Sequence, residues 1–158
     1  MPQFPVKPAN QIIAYGDPLK TEMKVGANAT PAKMLPGRIV ILDDADFTVK
    51  EAGAKARVWM GVLDVAPNKK KTDAYAVADP VMVIEGECYL LLTLLANENV
   101  TRGDKLVTAA DGKVAKLAVG ALGSQGSIIG DTLETSNVAS DAEILVHWNP
   151  SSEPAAVA

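Results

Sequence analysis

The chain has 158 residues and a mass of 16.5 kDa, which fits one domain with tails, since compact domains usually run to about 100–200 residues. Its 48% hydrophobic content and mean hydropathy of +0.12 are enough to bury a core, so global disorder is excluded. With only 4% aromatic residues and a net charge of −4, it lacks the stacking rings and clustered cations that nucleic-acid binding needs. The single Cys88 rules out an internal disulfide and a Cys-rich zinc site, and no metal or cofactor is expected. Met-Pro-Gln-Phe-Pro shows no basic region followed by an apolar core, so no signal peptide is expected, and the apolar run from Tyr89 to Ala96 is far shorter than the ~20 residues of a membrane helix. No membrane partner is therefore expected.

The first twenty residues carry Pro2, Pro5, Pro8 and Pro18. Proline fixes φ, removes an amide donor and pushes the preceding residue to extended geometry, so an extended arm over residues 1–28 is expected. Twenty stretched residues reach at most ~66 Å, long enough to touch a neighbouring molecule. On that reading the apolar residues Phe4, Val6, Ile12, Ile13 and Tyr15 are contact points rather than core. A floppy terminus is the plainer alternative.

From Pro36 onward short apolar runs alternate with turn residues. Strands are expected over 38–42, 47–50 and 57–65, with Gly61 marking a bulge in the third. A short helix is possible around Ala52 to Ala56. Asn68 to Asp73, with three lysines, reads as a solvated loop. Two β-rich runs follow, 81–87 and 89–95, although the leucines of the second also suit a short helix. Lys105 to Ala110 and Lys113 to Leu117 flank Asp111-Gly112, a pair that accepts the positive φ angles of a type I′ turn, so a hairpin is expected there. Gly120 to Gly130 is a glycine and serine connection, the runs 128–134 and 142–148 complete the pattern, and 149–158 reads as a tail. Strands spaced by ~8–12 residues with Gly and Asp turns argue for an all-β antiparallel barrel or sandwich.

Residues capable of chemistry are few. His147 ends an alternating run beside Trp148 and reads as a rim histidine, and Cys88 reads as a small buried apolar residue. Asp43-Asp44-Ala45-Asp46 lacks the glycine and distant Glu of a calcium loop and reads as a turn. Glu85 and Glu87 alternate onto one expected strand face. Arg102-Gly103-Asp104 fits best as the turn that opens the hairpin. None of these groups assembles a nucleophile, a base and an orienting partner, so no catalytic residue is assigned.

Three segments carry a resemblance. Ala29 to Gly37 leading into Ile39–Leu42, followed by Ala56 to Val65, is similar to the first half of the lambda-type head decoration domain. Val100 to Leu106 with the Asp111-Gly112-Lys113-Val114 hairpin, then Ile129 to Glu134 and Glu143 to Trp148, resemble the phage capsid cement family. The likeness spans roughly 29–148 and implies a β-tulip-like barrel with an extended arm and at most one short helix. It also implies a homotrimer, made in the host cytoplasm, that binds the major capsid protein on the outer face of an icosahedral virion and stabilises the expanded shell. In that family the arm commonly adds a strand to a capsid subunit, which makes Phe4, Val6, Ile12, Ile13 and Tyr15 the expected capsid contacts. Two rival readings stay open. One is a β-barrel carbohydrate- or peptide-binding module using Trp59, Tyr75, Tyr89 and Trp148; the other is an enzyme using Glu85, Glu87 or the Asp43 to Asp46 group.

Overall fold

A computed structural model describes residues 7–56, 58–117 and 127–150, so Phe4, Val6, Arg57, most of the glycine and serine connection, and residues 151–158 lie outside the described residues. The fold is all-β, with two single-turn 3₁₀ segments at Pro31–Lys33 and Ala110–Gly112. The first five core strands in space are β2 (Lys20–Val25), β3 (Ile39–Leu42), β4 (Thr48–Glu51), β5 (Met60–Leu63) and β6 (Pro80–Ile84). They close into a barrel in the order β2-β4-β3-β5-β6, with β6 pairing back onto β2 from Lys20↔Ile84 to Lys24↔Pro80. Only β2 and β4 run parallel in this barrel.

A second ring of pairings joins β7 (Cys88–Leu94), β10 (Val114–Lys116), β9 (Lys105–Thr108), β11 (Gly130–Thr132) and β13 (Ala142–Trp148). It closes through β13 and β7, whose seven residues are in unbroken antiparallel register from Ala142↔Leu94 to Trp148↔Cys88. β1 (Ile13–Tyr15) pairs with β7 at Tyr89 and Leu90, away from the Leu94 end where β10 pairs, and β8 (Asn99–Val100) pairs with β12 (Ser136–Asn137).

Side-chain alternation explains how the two barrels join. Val40, Leu63 and Val83 point into one core with Met23, Val25, Met34, Val49, Tyr75 and Val81. Their strand neighbours Ile39, Val62 and Ile84 point the other way, into a core shared with Leu90, Leu92, Leu94, Leu106, Ile144, Val146 and Trp148. Successive residues of a strand face opposite sides, so β5, buried at all four positions, acts as a wall between two apolar interiors. This wall sets the role of Gly61. Its pairing with Val40 is regular, so it marks no bulge, contrary to expectation; a Cβ there would overlap Val83 Cγ1 and crowd the Trp59 ring.

The Asp111-Gly112 hairpin forms as the dipeptide demands, with Asp111 at φ 61° and ψ 29° and Gly112 at φ 72°. Thr108 pairs with Val114 and Ala109 N–H donates to Lys113 O at 2.7 Å, which leaves a three-residue connection. Its tip docks on the first barrel. Gly112 N–H donates to Ala52 O at 2.8 Å, Arg38 Nη1 donates to Asp111 O at 2.9 Å, and a Cβ on Gly112 would meet Ile39 O at 2.5 Å. Ala52 to Ala56 is a turn rather than a helix, because Lys55 takes φ 55° and both Lys55 N–H and Ala56 N–H bond to Thr108. The run 89–95 is strand throughout its first six residues, pairing having outweighed leucine's helix propensity.

The arm expectation needs correction. Residues 13–25 contain β1 and β2, so the β domain begins well before residue 29. The prolines at 8 and 18 leave 9–17 free of proline, and that gap is wide enough for a strand to pair. Ile12 O accepts the Leu91 N–H at 2.9 Å, and the Ile12 side chain is 1% exposed among the second barrel's core. It is core and not a surface contact.

Candidate functional surfaces

Chemistry at the surface begins where the N-terminal lead-in crosses the molecule. Lys7 Nζ reaches Glu134 Oε1 and Glu143 O, both at 2.8 Å. Asn10 exchanges bonds with the lysine loop, accepting from Lys71 N–H at 3.0 Å and donating to Lys69 O at 3.2 Å, while Lys71 Nζ bonds Pro8 O at 3.0 Å and Glu143 at 3.0 Å. The lysine run is therefore more than a solvated loop. The Lys71 ammonium, with the backbone of Lys69 and Lys71, fastens the lead-in to both barrels, since β13 carries Glu143. Of the expected contact residues, Ile13 is half-buried against the core and Tyr15 is 39% exposed. Tyr15 meets Tyr89 edge to face at 6.1 Å, and Tyr89 stacks on His147 at 5.1 Å. His147 Nε2 lies 3.5 Å from Glu87, at the rim where the sequence puts it.

The four rings of the binding-module reading do not converge. Tyr75 and Trp148 are fully buried, one in each core, which leaves Trp59 on the first barrel and Tyr89 on the second. Tyr75 is a core residue whose hydroxyl donates to Asp64 O at 2.7 Å and accepts from Ala66 N–H at 3.0 Å.

Glu85 and Glu87 do not share a strand face. β6 ends at Ile84, and Glu85-Gly86-Glu87 makes the link to β7, clamped by Leu19 O, which accepts from Glu85 N–H at 2.9 Å. Glu85 turns toward the mouth of the first barrel, where it accepts from Thr21 Oγ1 and from Trp59 Nε1 (2.9 Å); Glu87 turns to His147. The aspartate cluster is a turn, as expected. Asp43 accepts from the Asn28 backbone and side chain at 2.9 Å, and Asp44 from Asn28 Nδ2 at 3.0 Å. The bond from the Asn28 amide holds the Asp43 carboxyl below the usual carboxylate range. Arg102-Gly103-Asp104 is a turn too, with Gly103 at φ 96° and Asp104 accepting from Thr101 N–H at 2.8 Å. Burial, chiefly, pushes the Cys88 thiol up to about 12. Among the described residues no group of three or more His, Cys, Asp or Glu is placed to hold a metal ion, and no helix is long and apolar enough to cross a membrane.

Phe47 is the residue that the sequence pattern misplaces. Expected as the first residue of a strand, it lies in the β3–β4 turn, 71% exposed and at φ 58°. The turn-forming Asp44-Ala45-Asp46 just before it is the signal that the turn runs one residue further.

Residues 6–149 match the XM1 gp53 minor capsid protein family. The chain belongs to that family. This phage minor capsid protein is a structural component of the virion, and its match spans both barrels and the lead-in that binds them. No curated protein matches the chain. Virion location and association with the capsid follow from the family; of the carboxylates that an enzyme reading would use, Glu87 lies at the rim and Asp43 and Asp44 in the turn, apart from Glu85, which lines the barrel mouth with Asp46.

Proposed function

We propose that this minor capsid protein is a decoration, or cement, protein that binds the major capsid protein on the outer surface of an icosahedral shell as a homotrimer and stabilises the expanded form. The observation that carries the reading is the match of nearly the whole chain to a minor capsid family on a small all-β fold. The lead-in supports it: residues 1–11 hold three of the chain's prolines and precede the first strand. Proline-rich extended chain loses less entropy on docking than flexible chain does, and copies arrayed by symmetry add avidity without new chemistry. The contact residues on this reading are Phe4, Val6 and Tyr15, with Ile13 contributing its exposed edge and Ile12 reassigned to the core. The domain order becomes a short contact arm, a double barrel and a C-terminal tail.

Light scattering coupled to size exclusion, followed by co-sedimentation with expanded shells, tests the proposal. A mass near three times 16.5 kDa with co-sedimentation is expected. A monomer that ignores shells would overturn it.

A further inference from the structure

The mouth of the first barrel holds a hollow of about 490 Å³ whose lining is chemically divided. Leu42 and Met23 supply an aliphatic wall, Phe47 and Trp59 supply two rings, and Asp46 and Glu85 supply two carboxylates. Among the described residues its lining carries no basic side chain. Trp59 is fixed in place: its indole N–H donates to Glu85 Oε1 at 2.9 Å, and its ring edge lies over Gly61, where a Cβ would stand 3.3 Å away. Thr21 Oγ1 donates to the other oxygen of Glu85, so both carboxylate oxygens face donors and the group is oriented within the hollow.

Phe47 adds an independent observation. A bulky residue at positive φ is a genuine outlier, and such strain costs of order 1–3 kcal/mol. Core packing does not offset it, because 71% of the side chain is exposed. The Phe47 carbonyl is held by Lys24 N–H at 2.9 Å and the turn by Thr48 Oγ1 to Ala45 O at 2.6 Å, so the ring is presented at the rim of the hollow by a fixed backbone. An exposed ring held on a strained backbone is a reason to look for a function at that position.

We infer that the barrel mouth receives a lysine side chain presented by a neighbouring virion protein, with its methylene stem against Leu42 and Met23 and its ammonium between the rings and the carboxylates of Asp46 and Glu85. Charge and shape both select this occupant. An ammonium gains from an aromatic face and from a carboxylate, and a four-carbon stem matches the aliphatic wall. An acidic side chain would be repelled by the two carboxylates, and a purely apolar one would bury their charge with no cation to balance it. The inference deepens the capsid-binding proposal by naming the chemistry of one contact.

The test is a titration of the full chain, followed by amide and indole NMR shifts, with Nα-acetyl-lysine N-methylamide and, separately, its norleucine counterpart, which keeps the stem and lacks the ammonium. Saturable shifts of the Trp59 indole and Phe47 amide with the lysine probe, and much weaker ones with norleucine, are expected. Asp46→Asn and Phe47→Ala, both at exposed positions, should each weaken the lysine probe about 2–5-fold with the thermal midpoint not lowered. Equal shifts with both probes, shifts centred elsewhere, or no shift at all would overturn the inference. Because the probe is a small molecule, this outcome is separable from whether the chain binds shells.

Discussion

Replacing Ile12 by Ala tests whether the N-terminal segment belongs to the core. Ile12 is 1% exposed and shares its apolar cluster with Leu90, Leu92 and Trp148. The substitution removes three buried carbons, worth about 0.8 kcal/mol each, or roughly 2.4 kcal/mol of transfer free energy. A cavity term adds to this, because the strands around the site are paired on both sides and collapse only in part, giving about 3–4 kcal/mol within the usual range for such changes. With an m-value near ~2 kcal/mol/M, the urea midpoint should fall by roughly 1.5–2 M. Tryptophan emission reports the transition directly, since Trp148 is fully buried in the same cluster. Leu19→Ala, at a position 68% exposed, is the control and should move the midpoint by less than about 0.5 M. An Ile12→Ala midpoint no lower than that of the control would refute the docking of this segment and restore a free arm.

Four further outcomes follow from the same structure. Removing residues 1–6 should leave the urea midpoint within about 0.5 M of the full chain while abolishing shell co-sedimentation; retained shell binding would discard Phe4 and Val6 as contacts. Gly61→Ala should destabilise by about 1–3 kcal/mol, because the added methyl overlaps Val83 in the wall between the barrels, and a neutral result by denaturation would mean the wall can yield. Cys88 should resist thiol reagents at pH 8 in the native protein and react only on unfolding, since its thiol is pushed up to about 12 mainly by burial; rapid native labelling would contradict that environment. Asp43, Asp104 and Asp141 have folded-state values lowered from 3.8, by bonds chiefly from the Asn28 side chain, the Thr101 backbone and the Lys113 side chain respectively. A depressed carboxyl contributes stability that is full above its unfolded value and is lost as pH falls through the folded one. Urea midpoints should therefore drop below about pH 4, with a shallower drop in Asp141→Asn; midpoints flat to pH 2.5 would count against these bonds.

What the sequence determines by itself is local. Alternating apolar runs and turn residues place β3, β4, β7, β9, β10 and β13 to within a residue or two, while the run expected for β6 extends three residues past its end at Ile84. Asp111-Gly112 specifies its own turn, since few other dipeptides accept two successive positive φ angles. The aspartate turn is legible because consecutive Asp residues favour a turn, although the Asn28 bonds that fasten it come from fifteen and sixteen residues away.

Only the tertiary structure decides how those strands are shared out. Nothing local distinguishes one barrel from two; that depends on β13 closing onto β7 and β6 onto β2, pairings across about fifty residues or more. Ile12 reads as surface in a proline-rich segment and becomes core because β7 offers it an edge. Gly61 reads as a bulge and proves to be a regularly paired position where Val83 and Trp59 leave no room for a side chain. Glu85 leaves its expected strand face because Leu19, sixty-six residues earlier, clamps the link that carries it. Phe47 is exposed because Asp43 to Asp46 extend the turn before it, and what that ring lies beside is set by β2, β3 and the segment bearing Trp59, brought together only when the barrel closes.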